Sequence, residues 1–326
     1  MTGRGPERSR TYGDEEGTVR CHSHAGELRT RSGDARLIGL LQGMTGLGSV
    51  HSVFTRVVNL LTPDGTLIAL AARDAGDAPR TLVTEVAAWT GQGLEAGRSV
   101  AFANGNIALG RPHPLRPLRL TTAGARPWHP VAPSLAALPP GGFAAAAALV
   151  DRLCRTYGPP GGMLGPGPGA GPMETAVAHA LDKGRRTLVA GVRAGDGDGI
   201  RRGVLGLLGL GPGLTPAGDD FLTGLALLAA LPGSRLTGFP PVLRDVLAGH
   251  GGRTTALGLA TVSEAADGRA RSELLDLLRL LAELRPARDL NAPVRKVLAI
   301  GHTSGGDTLS GLAAGLRLEE ELRGPL

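Results

Sequence analysis

Two stretches of the sequence combine glycine, hydroxyl and carboxylate side chains in the same order. Residues 205–225 read LGLLGLGPGLTPAGDDFLTGL, and residues 300–313 read IGHTSGGDTLSGLA. Laid without gaps over residues 213–226, the second stretch places Asp307 on Asp220. Each stretch reads as a loop, a polar helix start with a carboxylate, and then a small-residue face. The pattern predicts two related helix N-termini.

Gly224 and Gly311 occupy matching positions in the two stretches. Glycine inside a helix costs about 1 kcal/mol relative to alanine. That cost is explained if the two helices contact each other at these glycines, which brings their N-termini together. We therefore predict one shared site.

Converging helix N-termini present backbone amides, hydroxyls and positive dipole ends, an arrangement that favours a small anion. The candidate catalytic residues are Asp220, Asp307 and His302: carboxylates can move a proton or orient a carbamoyl group, and an imidazole can donate to an oxyanion or a leaving phosphate. The predicted substrate-binding residues are Gly211, Gly213, Thr215, Gly218, Asp219, Thr303, Ser304 and Gly305.

Two other interpretations of these residues stay open. Thr215 and Ser304 could simply cap helices, while the aspartates accept first-turn amides. The aspartates could instead hold Mg²⁺, although we assign no metal ligand and no cofactor. A Walker A loop and a dinucleotide fingerprint are excluded, because no Gly-Lys-Ser/Thr follows the glycines and no clear strand precedes them.

The elements that must position this site predict an α+β fold. A disordered tail (residues 1–34) precedes a β-rich domain (35–126), which forms a small sheet or a partly open barrel. A linker (127–142) then leads to a mainly α-helical domain (143–326). The predicted strands are 50–61 and 66–72, joined by a Thr-Pro-Asp-Gly turn, and 81–86, 99–103, 107–109 and 118–121. The predicted helices are 143–157, 173–183, 199–208, 216–231, 241–249, 255–266, 271–284, 292–300 and 304–322.

Composition narrows the class of protein. The formal charge is +6, but no basic face carries interleaved aromatic residues, and aromatic residues make up only 3% of the chain, which argues against nucleic-acid binding. The longest apolar run, residues 143–150, is too short to span a bilayer. Cys21 and Cys154 indicate no disulfide framework, so we expect a cytoplasmic protein without a membrane anchor.

Residues 209–224, together with 301–307, resemble the AllH-like family, and residues 50–60 extend the resemblance to the front domain. The family is named for a subunit of oxamate carbamoyltransferase in anaerobic allantoin degradation, part of purine nitrogen catabolism. The resemblance implies reversible phosphorolysis of oxalurate to oxamate and carbamoyl phosphate, carried out with other subunits of a complex. Phosphate, carbamoyl phosphate and oxamate are small anions of the kind that the predicted pocket favours.

The expected function is therefore that of a carbamoyltransferase subunit. Two alternatives remain at this point. The chain could be a non-catalytic subunit that binds a metabolite or acts as a scaffold, or it could be a Mg²⁺-dependent phosphohydrolase or kinase.

Overall fold

The computed structural model describes residues 27–136, 138–139 and 141–324, and the predicted disordered tail lies outside these residues up to residue 26. Within them, the strands and one short helix come first and the other helices follow, each group with its own hydrophobic core. The predicted α+β class is therefore confirmed. The strands are β1 (Glu27–Asp34), β2 (Thr45–Val53), β3 (Val57–Leu61), β4 (Leu67–Ala71), β5 (Thr81–Thr84), β6 (Ser99–Ala103), β7 (Asn106–Leu109), β8 (Leu118–Thr121) and β9 (Arg126–Trp128).

The helices are α1 (Ala35–Gly43), α2 (Gly142–Tyr157), α3 (Pro172–Ala194), α4 (Gly197–Leu207), α5 (Ala217–Ala229), α6 (Phe239–His250), α7 (Ala256–Ala266), α8 (Ser272–Ala282), α9 (Ala287–Leu298) and α10 (Ser304–Arg323). None of these helices is both long and apolar enough to cross a membrane.

The strands form a closed barrel, which corrects the predicted sheet or partly open barrel. The hydrogen-bonded order is β5-β4-β3-β2-β6-β7-β8-β1, and β1 also pairs with β5, so the eighth strand returns to the first. β9 pairs with β1 beyond the end of β8. Closure leaves no free edge among these eight strands.

β1 also corrects the predicted tail, because residues 27–34 are a strand. Its Thr30 and Ser32 are buried, while Glu27 and Arg29 face solvent. Because its solvent-facing residues are charged and these buried residues are polar, β1 shows no apolar periodicity in the sequence. Its backbone bonds to β5 and β8 come from residues distant in sequence.

Two other front-domain predictions change in detail. The predicted strand over residues 50–61 is two strands, β2 and β3, that pair with each other across a turn at residues 54–56. The predicted hairpin across residues 62–65 is confirmed as β3–β4. The first residues of the predicted β-rich domain form a helix, α1, whose Leu37 and Leu41 lie four residues apart and are buried against the barrel.

All nine predicted helices are present, but α3 continues to Ala194 instead of ending at residue 183. Gly184 and Gly191 lie inside this helix, where it contacts α4. A Cβ atom at Gly191 would lie 2.5 Å from the Ile200 amide nitrogen. These glycines therefore permit close helix packing and do not end the helix.

A buried ion network joins the barrel to the helices. Asp34, at the end of β1, accepts from Arg269 Nη2 at 2.6 Å, and Arg269 Nε donates to Glu264 at 2.7 Å. Arg80 Nε lies 2.5 Å from the other oxygen of Glu264. Asp34 is 2% exposed, so this charge pairing is shielded from water. The network fixes the wall of the cleft described next.

Candidate functional site

α5 and α10 pack against each other at the two glycines that the sequence singled out. A Cβ atom at Gly224 would lie 1.9 Å from the Thr308 carbonyl oxygen, and one at Gly311 would lie 2.0 Å from the Phe221 carbonyl oxygen. Only glycine permits this approach of the two backbones. The predicted contact between the helices is confirmed, and α5 is buried along its whole length.

The N-termini of these two helices meet through a pair of hydroxyl groups. Thr215 Oγ1 and Ser304 Oγ lie 2.9 Å apart. The alternative in which Thr215 caps α5 is wrong: α5 begins at Ala217, Pro216 holds the N-cap position, and Thr215 faces the other helix. One hydroxyl from each half of the repeated motif therefore lies where the N-termini of the two helices meet.

These helix ends open onto a cleft of about 1670 Å³ between the barrel and the helical domain. Several predicted site residues line it: Gly213, Thr215, Asp220, His302, Thr303 and Ser304. α7 runs along its wall from the helix ends to Glu264. At about 1.5 Å per residue, this wall is roughly 12 Å long. One end of the cleft therefore carries the hydroxyl and carboxyl groups, and the opposite end is bordered by the ion network.

Asp220 is the carboxyl group at the floor of the cleft. It is 4% exposed, and its Oδ2 atom has no hydrogen-bond partner among the described residues. Burial, with a smaller contribution from the charge of Asp307, raises the pKa of Asp220 to about 8, although hydrogen bonds from the Ser304 and Thr215 hydroxyls oppose the rise. Near neutral pH Asp220 is consequently mostly protonated.

Asp307 lies behind the cleft wall and is fully buried. Its Oδ1 accepts from the Met163 amide at 2.6 Å, and its Oδ2 has no partner in the described part of the chain. Burial raises the pKa of Asp307 to about 6, against the hydrogen bonds from Met163 and Thr303. Asp307 is therefore the more acidic member of the pair.

Asp219 faces away from Asp220, into the protein. Its Oδ1 accepts from the Gly209 amide at 2.7 Å, and its Oδ2 accepts from the Thr254 hydroxyl. Burial raises the pKa of Asp219 above its ordinary value. Asp219 thus ties the loop before α5 to the segment before α7.

Three predicted binding glycines lie off the lining of the cleft. Gly218 and Gly305 each face a backbone carbonyl, with a Cβ distance of 2.0 Å, and their amides donate within the fold, at 2.9 and 3.1 Å. Gly211 packs on Ala217, where a Cβ atom would lie 2.8 Å from the amide nitrogen. Close packing accounts for glycine at all three positions.

Two protein-family models match the chain. The family model described as oxamate carbamoyltransferase subunit AllH matches residues 207–316, and the model of the AllH family N-terminal domain matches residues 29–127. The chain belongs to the AllH family. Both halves of the repeated motif fall inside the first match, whereas the loop over residues 158–171 lies between the two matches. No solved structure matches this AllH chain.

Among the residues that the structure describes, the aspartates of the two motifs do not belong to a metal-binding cluster. Within the described residues, no group of three or more His, Cys, Asp or Glu side chains could hold a metal ion. The interpretation of the aspartates as a Mg²⁺ site accordingly has no third acidic or imidazole ligand in these residues.

The sequence did not point to two features of this site. The Met163 amide contacts Asp307 from a Pro/Gly-rich loop with no helix or strand pattern. The wall that carries Arg269 and Glu264 depends on Asp34, which was assigned to the tail. In the sequence, the adjacent glycines at residues 161 and 162 are the signal that could have indicated the contact between Met163 and Asp307. The contact itself joins residues far apart in sequence.

Proposed function

We propose that the chain is the subunit of an oxamate carbamoyltransferase-like complex that binds a small anionic substrate at the paired N-termini of α5 and α10. The family description supports the kind of enzyme. The observation that carries the site is Asp220, a buried carboxyl group with an unpartnered oxygen beside two converging hydroxyls. The partners are the other subunits of that complex.

A protonated Asp220 avoids the electrostatic repulsion that an ionised carboxylate would exert on an anionic substrate. An anion would be repelled by an ionised carboxylate at the cleft floor, since like charges a few ångströms apart disfavour each other in a protein interior. With its pKa raised to about 8, Asp220 is mostly neutral near pH 7 and can donate a hydrogen bond. The Thr215 and Ser304 hydroxyls and the two positive helix ends then favour the anion.

The reaction needs one proton to move. An oxygen of hydrogen phosphate attacks the carbamoyl carbon of oxalurate, the bond from that carbon to the oxamate nitrogen breaks, and the nitrogen gains a proton. Asp220 gives this proton and recovers the proton that phosphate releases, so the enzyme ends unchanged. His302, exposed at the rim of the cleft, donates to the carbonyl or phosphate oxygen.

Reconstitution with the partner subunits tests this role. The wild-type complex should consume carbamoyl phosphate in the presence of oxamate, and Asp220→Asn should reduce kcat by about 10²- to 10⁴-fold, as for the loss of a general acid-base group. Asp276→Asn, an exposed carboxylate on α8, serves as the matched control. Full turnover by Asp220→Asn would refute the role of Asp220.

The same assay separates the alternatives. If turnover is lost only when another subunit is changed, while this chain still binds oxamate, then this chain is a binding or scaffold subunit. If turnover requires Mg²⁺ and stops on chelation, the metal-dependent interpretation replaces the proton-transfer role.

A further inference from the structure

The short 3₁₀ turn at Gly162–Leu164 closes over the start of α10. Gly161 and Gly162 line the cleft, and the Gly161 amide donates to the Gly165 carbonyl at 2.6 Å, which closes the loop on itself. Leu164 packs against α10, where a Cβ atom at Gly306 would lie 3.0 Å from its side chain. The turn is therefore a packed part of the cleft wall.

The Met163 amide of the turn donates a hydrogen bond to Asp307 Oδ1 at 2.6 Å. Gly162 is fitted against the same carboxylate: its φ is +52°, and a Cβ atom would lie 2.2 Å from Asp307 Oδ1. A hydrogen bond from an amide to a carboxylate favours the ionised form of the acid. The geometry of the turn therefore favours the ionised form of Asp307.

We propose that this turn is a positioning element of the site: its Met163 amide keeps Asp307 ionised behind Asp220, and the charge of Asp307 keeps a proton on Asp220. Neither family match covers the turn. The inference rests on the proposed function in one respect: a neutral Asp220 matters because it allows an anionic substrate to bind. The link among the turn and the two carboxyls exists without any ligand.

Other charged groups near the pair are the same in all the variants below. Asp219 lies next to Asp220 on α5, and its charge also raises the pKa of Asp220. Glu174, Lys296 and His302 line the cleft from α3, α9 and the segment before α10. None of them contributes to the contact between Met163 and Asp307.

Two substitutions at one position isolate the amide. Met163→Pro removes both the side chain and the N–H group, whereas Met163→Ala removes the side chain alone. ¹³C NMR of the full chain, labelled at the aspartate carboxyl carbons and assigned with Asp220→Asn and Asp307→Asn, reports both pKa values. In Met163→Pro the pKa of Asp307 should rise by roughly one unit, in keeping with the loss of one amide bond. The pKa of Asp220 should fall, and Met163→Ala should titrate like the wild type.

A second pair of variants covers the case in which Met163→Pro does not fold. Gly162→Ala forces the Asp307 carboxylate away from the turn, whereas Gly165→Ala also changes a glycine of positive φ (+88°) but leaves nothing within 4 Å of the added Cβ. Only Gly162→Ala should change the two titrations. Unchanged titrations in folded Met163→Pro or Gly162→Ala would overturn the proposal.

This measurement needs no substrate and no partner subunit. A complex without carbamoyltransferase activity would refute the proposed function and leave the titrations as they are. Conversely, an active complex in which Met163→Pro and Met163→Ala share one pH profile of kcat/KM would refute the positioning role alone.

Discussion

The protonated Asp220 makes a direct prediction about stability and pH. A carboxyl group whose pKa is higher in the folded than in the unfolded chain contributes its full stability below the unfolded pKa, and loses it as the pH rises through the folded pKa. For Asp220 the pKa rises from 3.8 to about 8, so its contribution declines between about pH 4 and about pH 8. At about 1.4 kcal/mol per unit, the loss is on the order of 5 kcal/mol.

Asp220→Asn should remove this dependence, because asparagine stays neutral and keeps a similar shape and the same carbonyl acceptor. Urea denaturation of the isolated chain, repeated across this pH range, gives the free energy of unfolding of each variant. The advantage of Asp220→Asn over the wild type should grow from near zero at about pH 4 to several kcal/mol at about pH 8. Asp276→Asn, on an exposed surface, should follow the wild-type curve. Parallel curves for the wild type and Asp220→Asn would refute the raised pKa.

Two further predictions concern the scaffold of the site. Gly224→Ala places a methyl group 1.9 Å from a carbonyl oxygen of α10 and should lower the free energy of unfolding by about 3 kcal/mol or more, whereas Gly249→Ala, with open space around it, should be neutral or stabilising in the same denaturation assay. A tolerated Gly224→Ala would contradict the close helix contact. Arg269→Met leaves Asp34 and Glu264 buried without their shared cation and should cost about 3–5 kcal/mol by thermal or urea denaturation. A cost below about 1 kcal/mol would contradict the role of the network in holding the barrel to the helices.

The repeated motif was predictable from sequence because its information is local. Gly224 lies four residues after Asp220, and Gly311 lies four residues after Asp307, so each glycine shares a helix face with its carboxylate. A glycine inside a helix has few explanations other than close packing. The contact between α5 and α10 follows from this spacing.

The difference between Asp219 and Asp220 was only partly predictable. Consecutive helix residues point about 100° apart, so one carboxylate faces the cleft and the other faces the protein interior. The alignment with Asp307 favoured Asp220 for chemistry. The role of Asp219 depends on Gly209 and Thr254, and their positions follow from tertiary packing.

Barrel closure and the turn over Asp307 could not be predicted from local patterns. β1 closes the barrel by pairing with strands far along the chain, and its outward charged residues resemble an unstructured segment. Met163 and Asp307 are 144 positions apart, and a Pro/Gly-rich loop carries no periodicity that would indicate its partner. Both features depend on long-range contacts, which a single sequence does not encode as spacing.

The central claim is that the paired helix ends bind an anion while Asp220 is protonated. Calorimetric titration of the isolated chain with oxamate tests it most directly, because oxamate keeps a constant charge from about pH 6 to about pH 9. The wild type should bind oxamate at about pH 6 and lose affinity as the pH rises through about 8, whereas Asp220→Asn should bind equally well throughout. Absence of binding at any pH, or one shared pH profile for the two proteins, would contradict the account.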